Sequence, residues 1–408
     1  MQDQPNNRNV ALIVIVAALG YFVDIYDLVL FSVVRVESLT DIGVGADQLK
    51  ADGMFIINCQ MFGLLLGGLL WGIMGDKLGR VKVLFGSILL YSLANIANGF
   101  ATTVNSYALI RFIAGIGLAG ELGAGITLVT ETMDKEKRGY GTMIVAGVGL
   151  LGAAAATTVH EAYTWKTSYF VGGGMGILLL LLRLGTFESG MFKQIAGQEK
   201  VAKGNMLMLF NNKDRFLKYL YCILIGIPLW FVVGVLVTLC REFGQELKAT
   251  ETLDAGKGIM FTYFGIAIGD VVTGLLAQVL KSRRKTVFIF HVLSAISVVV
   301  YLSSYGLTGS SFIWLCLFMG FSVGYWATFV TIAAEQFGTN IRATVTTTAP
   351  NFVRGALIPI NFLFAFLAQK YSNITAAYIV MAILTCIAIF ALSRLKESFN
   401  KDLNYIEH

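Results

Sequence analysis

Apolar stretches of about twenty residues, each closed off by charged or polar residues, recur from one end of this 408-residue chain to the other. A helix rises about 1.5 Å per residue and the hydrocarbon layer of a bilayer is roughly 30 Å thick, so about 20 apolar residues make one crossing. Read this way, spans one to twelve fall near 11–34, 53–75, 83–102, 104–131, 139–159, 166–185, 216–240, 258–280, 286–305, 310–334, 344–368 and 373–393. A soluble globule is excluded, because 56% of the residues are hydrophobic and only 14% charged. The 44 glycines against 4 prolines suit membrane helices, whose backbones approach closely over small residues.

What the sequence lacks narrows the chemistry. The five cysteines (Cys59, Cys222, Cys240, Cys316, Cys386) form no CxxC pair, and the three histidines (His160, His291, His408) are too scattered for a metal site or a catalytic triad. No phosphate-binding G-x-x-x-x-G-K-S/T loop is present, so ATP is not the expected energy source, and no nucleophile sits beside a base as in an enzyme. No cofactor is implied. A sensor should carry a long soluble signalling segment, whereas the polar middle stretch and the C-terminal tail are both short. The first apolar run is too long for a signal peptide and is read as the first span.

An even number of spans puts both termini on one side. Of the 31 Lys and Arg residues, 22 fall on the side of the termini, from Arg8 through the 183–218 stretch to Lys401, and 7 on the other. Positive charge gathers on the cytoplasmic side, so both termini are expected in the cytoplasm of a multi-pass inner-membrane protein. The net charge of +6 is then topology, and nucleic acid is not a partner; the lipid bilayer is. The longest polar stretch divides the chain into 1–185, a linker at 186–215, and 216–408. Sliding the sequence by 202 residues lays Phe62-Gly63 on Phe264-Gly265, Gly67 on Gly269 and Gly72 on Gly274. Sliding it by 204 lays Gly120 on Gly324, Thr127 on Thr331, Glu131 on Glu335 and Arg138 on Arg342. Spans two and four thus recur as eight and ten, which implies an all-α membrane protein of two parallel six-helix halves.

Three stretches now resemble the major facilitator superfamily. Gly75-Asp76-Lys77-Leu78-Gly79-Arg80-Val81-Lys82 resembles its G-x-x-D-R/K-x-G-R-R/K loop signature. The segment from Arg111 through Gly120-Glu121 to Glu131 and Arg138-Gly139 resembles span four in the sugar-porter and metabolite:proton symporter branches, and Tyr26-Asp27 resembles their Tyr-Asp in span one. The Gly-Glu tilts the likeness toward the symporters, whose substrates are mostly carboxylates and zwitterions. The sequence also departs from family patterns. Leu280 to Lys285 keeps the positive charge of the loop signature but loses its Asp, Gly226 to Val233 lacks the amide pattern with which sugar porters bind hexoses, and span five has no Gly-Pro of drug antiporters.

Ionisable groups inside a span are costly, so each is a functional candidate. Asp24 and Asp27 share a face of span one, Arg111 and Glu121 lie in span four, Asp270 in span eight and Arg354 in span eleven. Asp27 and Arg111 are at equal depth, and the resemblance puts both helices on the central cavity. Desolvation favours a protonated carboxyl and a nearby guanidinium the ionised one, so alternating the two couples a proton to movement; a permanent ion pair is the plainer reading. Asp24 is either a second proton site or a cavity-facing group. Glu121 is open among substrate contact, proton relay and helix partner. Arg354 either binds a substrate carboxylate through its planar fork or pairs with Asp270 at its own depth. Tyr26, Trp230 and Tyr325 are candidate substrate contacts, though aromatics at helical spacing are more often packing. The resemblance further implies a cytoplasmic gate of Asp76, Arg80, Glu131 and Arg138, repeated less completely by Arg284, Glu335 and Arg342, with plain topology charges as the alternative. The expected function is proton-coupled uptake of a small carboxylate-bearing or zwitterionic metabolite by alternating access, in a monomer. An uncoupled facilitator or an exporter is the alternative.

Overall fold

The computed structural model describes residues 7–78, 80–121, 138–188 and 206–399. The first half comprises α1 (Asn7–Asp41), α2 (Leu49–Leu78), α3 (Arg80–Asn98), α4 (Val104–Leu118), α5 (Arg138–Ala162) and α6 (Trp165–Glu188). After a 3-10 turn at Met206–Leu209 come α7 (Lys213–Phe231), a π-helical stretch Val232–Val237 and α8 (Cys240–Glu246), which together make span seven. The rest of the second half is α9 (Ala255–Val279), α10 (Arg283–Ser303), α11 (Gly309–Ser322) with α12 (Trp326–Glu335), α13 (Thr339–Gly355) with α14 (Leu357–Lys370), and α15 (Asn373–Arg394). These segments correspond to the twelve expected spans, and the described residues contain no strand.

Helix starts follow capping chemistry. Asn212, Asp254, Ser282, Thr308 and Ser372 each accept a backbone N–H of the helix they precede, satisfying a donor that the first turn leaves free. Several helices outrun their apolar stretches by a few residues, α1 and α2 most of all. Among the described residues four spans are interrupted. The expected unbroken span four turns at Ala119-Gly120, and span ten turns at Val323 to Tyr325, the position onto which the repeat lays Gly120. Pro228 precedes the π-helical stretch of span seven, where Thr238 N–H reaches back to the Val233 carbonyl at 3.3 Å. Span eleven holds Pro350 within α13 and breaks at Ala356, with Pro359 in the first turn of α14, where a missing N–H costs nothing.

Packing reproduces the repeat. In the first half α1 packs on α5 and α6, α2 on α4, and α3 on α4 and α6; in the second, span seven packs on eleven and twelve, eight on ten, and nine on ten and twelve. The repeated glycines mark one of these crossings. A Cβ on Gly63 would run into the Phe112 carbonyl of α4, and a Cβ on Gly265 into the Leu317 carbonyl of α11, so in both halves only hydrogen lets the two backbones meet. The halves touch chiefly along α2 with α13, and α5 with α9, a pair of contacts that the two-fold relation exchanges.

Candidate functional site

Asp24 and Asp27 stand one turn apart at the middle of α1, both fully buried. Arg111 of α4 reaches the second of them, but through the main chain. Its Nη2 donates to the Asp27 backbone carbonyl at 2.9 Å, Nη1 to Asn95 Oδ1 at 3.2 Å and Nε to Gln60 Oε1 at 3.3 Å. The guanidinium lies 5.7 Å from the centre of the Tyr169 ring, whose hydroxyl is 2.8 Å from that of Tyr107. Among the described residues neither carboxylate oxygen of Asp27 has a hydrogen-bond partner. The expected carboxylate–guanidinium pair is thus corrected: the residues meet at equal depth, yet the amides and the carbonyl hold the guanidinium and leave the carboxylate unengaged.

Equal depth misleads for Arg354. Its Nη2 lies 3.6 Å from Asp24 Oδ2, across the interface of the halves, with both side chains at most 1% exposed. Asp270 instead accepts the Ala327 N–H at 2.9 Å, next to the break in span ten, where a carboxylate suits the positive end of α12. The Asp270–Arg354 pairing, one of the two alternatives for Arg354, is therefore absent among the described contacts. The Arg354 guanidinium sits 5.9 Å from the ring centre of Trp230, whose indole N–H has no partner among the described residues.

The other candidates have structural surroundings of their own. Glu121 takes a two-pronged contact from Arg183 of α6, at 2.5 and 3.0 Å and fully buried, so the helix-partner reading of Glu121 fits this geometry. Arg183 also departs from expectation, because it is a core residue and not one of the loop charges. Tyr26 donates its hydroxyl to the Ser168 carbonyl at 2.8 Å, tying α1 to α6. Tyr325 is buried at the break in span ten and stacks on His291, ring centres 4.9 Å apart.

Of the expected gate, Glu131 lies outside the described residues, as do the side chains of Asp76, Arg80 and Arg138. In the second half Glu335 pairs with Arg283 at 2.6 and 2.7 Å, not with Arg284, which donates to the Leu392 and Ser393 carbonyls at 3.2 Å. Arg342 donates to the Ala334 carbonyl at 3.0 Å, folding over the end of α12. At the opposite end of the bundle, sequence reading missed a clasp between the halves. Arg35 of α1 grips Glu242 of α8 at 2.8 and 2.9 Å and donates further to the Thr238 and Leu49 carbonyls. Thr157 Oγ1 adds a 2.9 Å bond to the Gly256 carbonyl nearby.

Twelve spans, internal two-fold packing and buried charges at the interface of the halves describe a carrier scaffold. The model of the Major Facilitator Superfamily matches residues 17–358. The chain belongs to the major facilitator superfamily. Its relatives include a Haemophilus influenzae protein named for metabolite transport, 28% identical over 400 residues that cover 93% of this chain and 95% of that one. A niacin transporter of Acinetobacter baylyi is 23% identical over 373 residues, covering 80% of each chain. Among solved structures, a proton:xylose symporter of the superfamily bound to a bromodeoxyglucose superposes with a TM-score of 0.70 at 16% identity, covering 98% of both chains, a likeness of fold. The molecule is a multi-pass membrane transporter of the superfamily, not an enzyme.

Proposed function

We propose that this transporter carries a small carboxylate-bearing or zwitterionic metabolite into the cell together with a proton, by alternating access across the cytoplasmic membrane, with both termini in the cytoplasm. The observation that carries the reading is the buried quartet of Asp24 and Asp27 on one helix face with Arg354 and Arg111 beside them. Membrane burial of an ionisable group is expensive, and among the described residues these carboxylates have no hydrogen-bond partner to offset it. Asp27 and Asp24 are the proton-coupling carboxylates in this reading, and Arg354 the group that meets the substrate's own carboxylate. The halves, residues 1–185 and 216–408, rock about the site.

The niacin relative supports the substrate class, since niacin is an aromatic ring bearing one carboxylate. A thermal-shift screen of the purified protein against carboxylates, amino acids, betaines and sugars identifies the ligand, because one that binds the native state raises its melting point. In proteoliposomes, Asp27→Asn should abolish accumulation driven by a proton gradient and spare counterflow of labelled ligand. Undiminished uphill uptake would remove Asp27 from the coupling role.

A further inference from the structure

Among the described residues three buried arginines pair with carboxylates, and one of the three contacts is unfinished. Glu121–Arg183 and Arg35–Glu242 are two-pronged pairs within hydrogen-bond distance. Asp24–Arg354 closes only to 3.6 Å, beyond a hydrogen bond. Among the described residues both Asp24 oxygens and the Nε and Nη1 of Arg354 are buried without hydrogen-bond partners. The charge of Arg354 is balanced while its donor fork, which suits a planar carboxylate taken from two sides, is left open. Trp230 flanks that fork with an unpartnered indole N–H.

Resting on the substrate class proposed above, we propose that Asp24 is a stand-in for the substrate's carboxylate: a monocarboxylate anion displaces it from Arg354 and Asp24 takes up a proton in exchange. Charge requires the exchange. One buried guanidinium balances one carboxylate, and a second anion added without a proton would leave uncompensated negative charge in the membrane interior. A neutral ligand has nothing with which to replace Asp24. On loading, water on the entry side supplies the proton and an O–H bond forms on the Asp24 carboxyl, while the ligand's carboxylate takes the guanidinium fork with its planar body against Trp230. On release the anion leaves, that O–H bond breaks, the proton passes to water on the exit side, and Asp24 returns to Arg354. One anion and one proton cross together.

The titratable and charged groups around Asp24 are Arg354 from α13, Glu121 from beyond the turn that ends α4 with Arg183 behind it, Tyr91 from α3, Tyr263 from α9, and Tyr21 and Asp27 from its own helix, with Asp270 of α9 near Tyr21. Glu121 is engaged by Arg183 and Asp270 by the Ala327 N–H. Asp27 is the competing proton acceptor, so the test separates the two.

The probes are nicotinate, benzoate and acetate, added to the purified full-length chain. Thermal shift gives affinity across a pH series, and calorimetry in buffers of different ionisation enthalpy counts protons taken up on binding. For the native chain, affinity should fall about tenfold per pH unit once Asp24 is ionised, with one proton taken up per anion. Asp24→Asn should bind nicotinate more tightly, without pH dependence and without proton uptake, and Arg354→Lys should lose binding in either background. Native binding that takes up no proton overturns the inference, whether or not the variants fold. Uptake that persists in Asp24→Asn and vanishes in Asp27→Asn overturns it too, and leaves the coupled-transport reading standing. Failure of all three probes to shift either protein at any pH overturns the inference and the substrate class together.

Discussion

Arg35 and Glu242, more than two hundred residues apart in sequence, join the two halves through a two-pronged ion pair whose guanidinium is 1% exposed. In the alternating access proposed above, the pair spans the interface between the bodies that separate and would serve as a clasp for one of the two end states. Arg35→Gln would strand the carboxylate of Glu242 and take the guanidinium away from the Leu49 and Thr238 carbonyls. Removing one member of a buried pair costs about 3–5 kcal/mol, and the partial exposure of Glu242 puts this case toward the low end. A single cysteine at Thr238, in a background free of the native five, should then react faster with a maleimide. Unchanged labelling with unchanged melting would show that the clasp contributes nothing.

Glu121 and Arg183 make the second prediction. Glu121→Gln and Arg183→Leu should each lower stability by roughly 3–5 kcal/mol, and the double variant should recover most of the loss, because a buried pair replaced together leaves no stranded charge. Melting curves of the four proteins, read as a double-mutant cycle, give the coupling. If Glu121 instead contacts the transported ligand, the double variant will fold normally and fail to bind it.

The repeated crossing of α2 with α4 and α9 with α11 predicts a contrast among glycines. Gly63→Ala and Gly265→Ala each push a methyl group against a backbone carbonyl and should cost about 1–3 kcal/mol. Gly274 faces open space, and Gly274→Ala should fall within about 0.5 kcal/mol of the native chain. Fluorescence-detected size-exclusion profiles after a heating series would rank them. Equal behaviour of all three would refute close approach as the reason for the repeat.

Glu397, beyond the end of α15, gives a pH prediction. Burial alone would raise its pKa, but bonds from Ser282 and from the backbone N–H groups of Phe399, Arg283 and Ser398 outweigh burial and hold it below the usual value. A depressed carboxylate stabilises the fold above its unfolded pKa, and that contribution is lost as pH falls through the folded pKa. Acidification below the ordinary Glu range should therefore loosen the tail from the start of α10, and Glu397→Gln should remove that part of the acid sensitivity. Limited proteolysis across a pH series reads it; equal acid sensitivity in the variant would clear Glu397.

Much of the fold could be read from the residues because the signals were periodic. Apolar length set the spans, and Gly63 with Gly265 announced the crossing that positions Arg111 near Asp27. The pairings were harder. Arg183 closes an apolar run, where hydropathy cannot distinguish a buried partner of Glu121 from a topology charge. Depth along a helix matched Asp270 to Arg354, but depth carries no azimuth, and the partner of Arg354 turned out to be Asp24 in the other half. Arg35 and Glu242 look like edge charges until the chain is folded and their ends brought together.

The prolines have one further consequence. Spans one and five run unbroken as α1 and α5, while their counterparts seven and eleven carry Pro228, Pro350 and Pro359 and are interrupted. Two copies of one six-helix module have thus diverged like a stator and a flexure: the stiff copy holds Asp24, Asp27, Glu121 and Arg183, and the bendable copy presents Arg354 to them. In the exchange proposed above, a proton bound on the stiff side would change what Arg354 of the hinged side touches, so a small change of charge there has a long lever to act through.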